Sequence, residues 1–296
     1  MKRISEYIML ALLIFAVVIF IAAAVSLFFK GDDASGGLPL SLSGDKIGLI
    51  EIKGVILDSE PIVKHIKRFR KSDHIKGILV RIDSPGGGVA ASQEIYEALK
   101  KARDAGKVVV ASMSSVAASG GYYVACAADT IVANPGTTTG SIGVILNFFD
   151  FSDLLKKIGL RLNVVKSGKF KDAGSFGRPM TPEDKAYFQQ FVNDAYEQFV
   201  AVVAEARQMT REDVLKLADG RVFTGKQAFE SGLVDVLGTY EDAVDLIAEM
   251  TRISGEPQIV RPTRQKRTLF DLLFGDVTEL IQEIQRWPVL RYQWVF

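Results

Sequence analysis

The chain has 296 residues, 48% hydrophobic and 24% charged, with a formal net charge of +1. That length holds one large domain or two small ones with ample core. The near-neutral balance speaks against a nucleic-acid partner, which selects a strong basic excess, and the single cysteine, Cys126, excludes an intramolecular disulfide.

After a short N-terminus (residues 1–6), the run "YIMLALLIFAVVIFIAAAVSLFF" is free of charge from Tyr7 to Phe29. A bilayer-spanning helix needs about 20 such residues, and a cleavable signal peptide has a shorter apolar core. Lys2 and Arg3 precede the run, so the positive-inside rule keeps the N-terminus cytoplasmic and sends the rest across. Residues 7–29 are therefore expected to be a retained single-pass anchor in the cytoplasmic membrane, with residues 30–45 a turn-rich linker to an extracytoplasmic domain.

From residue 46 the pattern alternates between strand and helix. "KIGLIEIKGVI", "GILVRID", "KVVVASMS" and "TIVANP" read as strands, and "PIVKHIKRFRKS" and "VAASQEIYEALKKARDAG" as helices. Such alternation predicts parallel βαβ units with helices covering the sheet. The second half turns helical. A long helix starts at Thr181 with Asp184 in the capping-box position, another starts at Thr210 and stops near Gly220, and "GTYEDAVDLIAEM" supplies a third. Residues 254–296 are basic, then amphipathic, and end in the apolar "PVLRYQWVF". An end this apolar is expected to dock on protein, its own domain or a sister subunit, rather than on the membrane surface.

Two glycine-rich turns each follow a strand and open a helix: "DSPGGGV" from Asp83 and "ASGGYY" from Ala118. Ligand sites in parallel sheets lie beyond the carboxyl ends of the strands, which places both turns on the reactive edge. Glycines admit a ligand close to backbone N–H groups, so two such turns side by side suit an oxyanion hole. No phosphate-loop pattern is present. Ser119, on the second turn, reads either as an N-cap or as a nucleophile. A nucleophile needs a base, yet the two histidines lie badly for that role. His65 belongs to the first helix, and His74 precedes a strand at the wrong edge of the sheet. A lysine serves instead if burial depresses its pKa. "VVKSGKFKDAGS" offers Lys166, Lys169 and Lys171 after an apolar strand, and pattern alone does not choose among them. Cys126 reads as a buried structural thiol, Tyr122 and Tyr123 as packing, and Asp83 and Ser84 as supports of the first glycine turn.

The motifs "RIDSPGGGV", "ASGGYYVACAAD", "TGSIGVI", "GKFKDAG" and "GLVDVLG" occur in the order, and over most of the span from Ile47 to Met250, of the signal peptide peptidase A (protease IV) family. The chain resembles its short single-unit form. The resemblance implies a membrane-anchored serine peptidase at residues 46–253, with an α/β, crotonase/Clp-like fold and a helical C-terminal part. It assigns Ser119 as nucleophile, Lys171 as general base and Ser141 as the residue that orients Lys171. Gly120 and Gly87 supply the oxyanion-hole amides, and neither metal nor organic cofactor takes part. Asp172, beside the base, is expected to point away from it. The substrates implied are remnant signal peptides and other apolar peptides. The resemblance also implies a homo-oligomer, an octamer being one size it allows, with Ser119 and Lys171 meeting across a subunit interface. Two other classes compete: an inactive membrane scaffold of the same fold and a crotonase-type acyl-CoA enzyme. The tail "PVLRYQWVF" is itself an apolar peptide and a candidate occupant of the substrate groove.

Overall fold

The computed structural model describes residues 44–262 and the strand Arg291–Gln293. The anchor expected at residues 7–29, the linker up to residue 43 and most of the 254–296 extension lie outside the described residues. Among the described residues no helix is long and apolar enough to cross a membrane.

In chain order the elements are β1 (Lys46–Lys53), α1 (Glu60–Lys71), β2 (Ile75–Ser84), β3 (Gly86–Gly88), α2 (Val89–Asp104), β4 (Val108–Ala118), α3 (Gly120–Ala125), β5 (Thr130–Ala133) and β6 (Thr138–Gly140). Then come α4 (Ser152–Lys157), α5 (Pro182–Arg207), α6 (Arg211–Leu217), β7 (Val222–Thr224), α7 (Gly225–Glu230), β8 (Val236–Leu237), α8 (Tyr240–Met250), β9 (Gln258–Val260) and β10 (Arg291–Gln293).

The main sheet runs β7-β6-β4-β2-β1-β9, with β5 and β8 branching from β4. Every pairing in it is parallel except β6 with β7. Strand β4 forks the sheet: Val110–Met113 pair with β5, and Val116–Ala118 pair with β6. The central strands are apolar on both faces, as a parallel sheet covered on both sides requires. Ile50, Ile52, Ile78, Val80, Ile82, Val109 and Ala111 face one core with α1, α2, α3 and the C-terminal half of α5. Ile47, Leu49, Leu79, Val110 and Val132 face the other, closed by Ala243, Val244 and Ile247 of α8. Each such buried aliphatic side chain contributes about 1.5–3 kcal/mol.

Local signals account for much of this. The capping box at Thr181 and Asp184 is formed at the start of α5, and a second one at Thr239 and Asp242 starts α8. Two expectations are corrected. The apolar strand placed ahead of the lysine loop is absent: residues 160–166 are irregular, and Leu160, Leu162, Val164 and Val165 are exposed. A strand needs a neighbouring edge to satisfy its amides, and no other described strand pairs with this stretch. Conversely, Gly86–Gly88, read as a turn, form strand β3, because a Cβ at Gly87 would lie 2.1 Å from the Ile56 carbonyl oxygen. Only glycine lets the two backbones meet there.

Candidate active site

Strands β2 and β4 end side by side, with Ser84 paired to Ala117. The two glycine-rich segments that follow are therefore neighbours on the carboxyl edge of the sheet. Helix α3 packs against β2, β3 and β10, and a Cβ at Gly121 would lie 2.9 Å from the Ser84 carbonyl oxygen. The Ser84 hydroxyl accepts from the Gly86 N–H at 3.1 Å, and Asp83 accepts from the Val116 N–H at 3.2 Å. Ser84 thus supports the first glycine turn, as read from the sequence, whereas the Asp83 carboxylate ties β2 to β4.

Ser119 stands at the N-cap position of α3 but does not cap it. Its backbone is at φ 53° and ψ −116°, and its side chain makes no capping hydrogen bond. Its N–H donates to the Gly140 carbonyl at 2.7 Å, and its carbonyl accepts from the Tyr123 N–H at 2.8 Å. The backbone is thus held from both sides in a conformation that L-residues rarely adopt. The neighbouring strand repeats the feature. Ala118 pairs with Gly140 in parallel register, and the residue after Gly140, Ser141, is also left-handed at φ 51°. The Ser141 N–H donates to the Arg221 carbonyl at 2.8 Å. Two serines consequently step off adjacent strands, which lie about 4.8 Å apart, at the same level.

Gly120 follows Ser119 as the first residue of α3, where a helix leaves its leading N–H groups unbonded. Gly87 lies in the neighbouring β3. The Ile56 N–H donates to the Gly86 carbonyl and the Gly88 N–H donates to the Ile56 carbonyl, each at 2.8 Å. By strand alternation the Gly87 amide faces the opposite edge. That edge is covered by β10, running antiparallel with Tyr292 opposite Gly87.

The structure does not bring Lys171 to this cluster. Phe170 stacks on Tyr187 of α5 (centroids 4.9 Å apart), whereas Tyr123 of α3 packs edge-on against Phe199 of the same helix (5.1 Å). Residues 187 and 199 are separated by about 18 Å of helix rise. Among the described residues the Lys171 side chain makes no hydrogen bond or ion pair, and no bond links it to Ser119 or Ser141. Asp172 does turn aside: its carboxylate accepts two bonds from Arg178 (3.0 and 3.1 Å) and one from Lys166 (2.6 Å), which hold it well below the usual carboxylate range. Lys169, the alternative base, pairs with Glu183.

The remaining candidates are structural. The Tyr122 hydroxyl donates to the Leu233 carbonyl at 2.9 Å, and Tyr123 packs between Tyr96 and Phe199. Burial pushes the Cys126 thiol up to about 12, far from a reactive thiolate. His65 lies on α1, and His74 immediately precedes β2 at its amino end. Beside Ser141 a cavity of about 460 Å³ is lined by Val144, Ile145 and Val192 together with the polar Gln189, Asn193 and Asp219.

The family model for peptidase family S49 matches residues 101–254, and that for Clp protease matches residues 56–138. A putative protease of Synechocystis sp. is 48% identical, over 79% of this chain and 85% of its own length. A putative signal peptide peptidase SppA of Enterococcus faecium is 36% identical, over 72% of this chain and 65% of its own. The chain belongs to peptidase family S49. As an S49 peptidase it carries Ser119, Ser141 and all three candidate lysines within the matched stretch. A solved ClpP1 variant from Listeria monocytogenes superposes at a TM-score of 0.46 and 17% identity, over 66% of this chain and 93% of that one. That likeness is too loose to carry a functional argument.

Two groups escaped the sequence reading. The Gly140 carbonyl holds the Ser119 backbone, a contact between residues far apart in sequence that no local pattern announces. Arg178 carried only a weak signal, a single cation shortly before the cap of α5.

Proposed function

We propose that this S49 peptidase works by a Ser119–Lys171 dyad that is completed when two copies of the chain meet. The observation that carries the reading is the left-handed, non-capping backbone of Ser119. The Ser119 Oγ attacks the scissile carbonyl while neutral Lys171 takes its proton. The oxyanion is held by the N–H groups of Gly120 and Gly87. Lys171 then gives the proton to the departing amine, leaving an acyl-enzyme, and activates the water that releases it. In this reading Ser141, one strand away, accepts a hydrogen bond from Lys171 and orients it. Small or aliphatic side chains are the expected preference, met by Val144, Ile145 and Val192 on the apolar side of the cavity beside Ser141.

What supports a shared site is that no hydrogen bond links Lys171 to Ser119 or Ser141 among the described residues, together with the exposed apolar side chains of its surroundings, including Phe149, Leu160, Leu162, Val165 and Phe176. A second copy covering them would also dry the lysine, which favours its neutral form. The substrate reading is remnant signal peptides and other apolar peptides, bound as an added strand on the edge that β10 occupies. The location reading is a single-pass anchor at residues 7–29 with the peptidase outside the cytoplasmic membrane.

Two experiments test this. A fluorophosphonate should label the full-length protein, and labelling should vanish in Ser119→Ala and in Lys171→Ala. Unchanged labelling of Lys171→Ala rejects the dyad, and no labelling of the wild type favours the scaffold. Mixing the two variants should restore activity, and silent mixed oligomers of verified composition reject the shared site.

A further inference from the structure

The carboxylates beside Lys171 in its loop and at the start of α5 are already engaged. On its own loop, Asp172 is gripped by both Arg178 and Lys166; from α5, Glu183 pairs with Lys169 and Asp184 with Arg178. Lys166 also donates to the Lys169 carbonyl at 3.0 Å, and Lys169 lies over the Phe170 ring. The first turns of α5 add the cation Lys185 and Tyr187, the latter stacked on Phe170. Lys171 is the one lysine of the three whose amine has no partner among the described residues. A base must be neutral to act, and an ion-paired lysine is held protonated. The network therefore leaves unpaired the amine that the dyad needs neutral.

Arg178 is the hub. Its Nε and Nη2 grip Asp172 in a two-pronged bond, its Nη1 donates to Asp184 at 2.6 Å, and the same Nη1 donates to the Pro179 carbonyl at 3.1 Å. Asp184 in turn accepts from the Thr181 N–H at 3.0 Å and completes the capping box of α5. The side chains of Asp172 and Asp184 are only 12% and 5% exposed, unlike the solvated lysines around them. One guanidinium thus ties the residue next to the base to the rigid start of a 26-residue helix. The stack of Phe170 on Tyr187 shares that task, although residues 161–170 are all exposed.

We propose that Arg178 is a positioning residue for Lys171, fixing the base-bearing loop on α5 and withholding the Asp172 carboxylate from the base. This rests on Lys171 being the base. Without Arg178, Asp172 keeps only Lys166 and becomes free to pair with the adjacent amine. An opposite charge at that range raises a lysine pKa by about 1–3 units.

The test is the pH profile of kcat/KM for the full-length protein on an apolar peptide. In Arg178→Gln the acidic limb should move up by about one unit or more, with activity at neutral pH falling about tenfold per unit. Arg178→Gln combined with Asp172→Asn should return the limb to its wild-type position. An Arg178→Gln profile lowered evenly at all pH values, with the limb unmoved, assigns Arg178 a purely structural role and overturns the proposal. If Arg178→Gln does not fold by circular dichroism, Asp172→Asn alone decides. Its limb should lie at or below that of the wild type, and an upward shift overturns the proposal. Fluorophosphonate labelling of Lys171→Ala separates the two failures. Unchanged labelling removes the dyad itself, whereas lost labelling with an unmoved Arg178→Gln limb removes only the role of Arg178.

Discussion

Four threonines in this molecule show what a cap looks like. Thr181, Thr210, Thr224 and Thr239 all have negative φ, from −67° to −90°, and each side chain accepts the N–H three residues on. Ser119 occupies the same nominal position at φ 53° with no such bond. A strained residue of this kind costs about 1–3 kcal/mol and persists only where its surroundings over-determine it. Here the Gly140 carbonyl and the first turn of α3 do so. The strain can be measured apart from the chemistry. Ser119→Gly and Ser119→Ala should both be inactive, but the glycine variant should be the more stable by about 1 kcal/mol, since only glycine relaxes at positive φ. Urea unfolding of the two variants checks this, and an alanine variant of equal or greater stability denies the strain. Gly87 offers a second residue-level test. A methyl group there meets the Ile56 backbone at 2.1 Å, so the strand must move and carry its amide with it. Gly87→Ala should lower kcat by about 10²–10³-fold, the loss typical of one missing oxyanion donor.

Among the described residues, the stretch from residue 148 to the first half of α5 carries most of the exposed large apolar side chains, Val165 being fully exposed. Val165→Glu should leave the fold of each subunit unchanged by circular dichroism while weakening self-association, read by sedimentation at matched concentration, and lowering activity in proportion. Unaltered sedimentation and activity would place the contact elsewhere. The clamp within this stretch has its own pH signature. Asp172 and Asp184 are held below the ordinary carboxylate range by Arg178. Their contribution is complete above about pH 4, where an unfolded carboxyl is ionised, and is lost as pH falls through the folded values. Limited proteolysis of the loop should therefore stay constant from pH 7 to pH 4 and rise only in stronger acid. This is also where sequence legibility divides. α1, α2 and α5 were legible because periodicity and caps are local, and Thr181 with Asp184 marked the start of α5 to the residue. The placement of Ser119 before a glycine-led helix was equally plain. Its left-handed backbone was not, because that depends on Gly140. The strand ahead of the lysine loop was misread because alternation at Leu160, Leu162 and Val164 signals a willingness to pair, while no described strand pairs with this stretch. β3 was missed for the opposite reason, since its glycines suggest a turn and only its partners, Ile56 and β10, make it a strand.

At the scale of the whole molecule, one edge of β3 is sealed by Ile56 and the other by residues 291–293 of the same chain, running antiparallel along Gly88, Gly87 and Gly86. A peptide substrate added to that edge would align its backbone with the Gly87 amide and its scissile carbonyl near the start of α3, so tail and substrate compete for one strand position. Tethering gives the tail an effective concentration that free peptide must overcome, on the order of millimolar for a flexible connection. Competition of this type raises the apparent KM and leaves kcat alone, because the tail leaves whenever substrate binds. Deleting Pro288–Phe296 should therefore lower KM for an added apolar peptide with kcat unchanged, and the isolated peptide PVLRYQWVF should inhibit the truncated enzyme competitively. The same truncation tests the opposing role. If the tail instead holds the assembly together, its removal dissociates the oligomer and separates Ser119 from the Lys171 of a neighbouring copy, so that kcat collapses and no added peptide restores it. Sedimentation and steady-state kinetics on one truncated protein decide between a competitor and a structural strand.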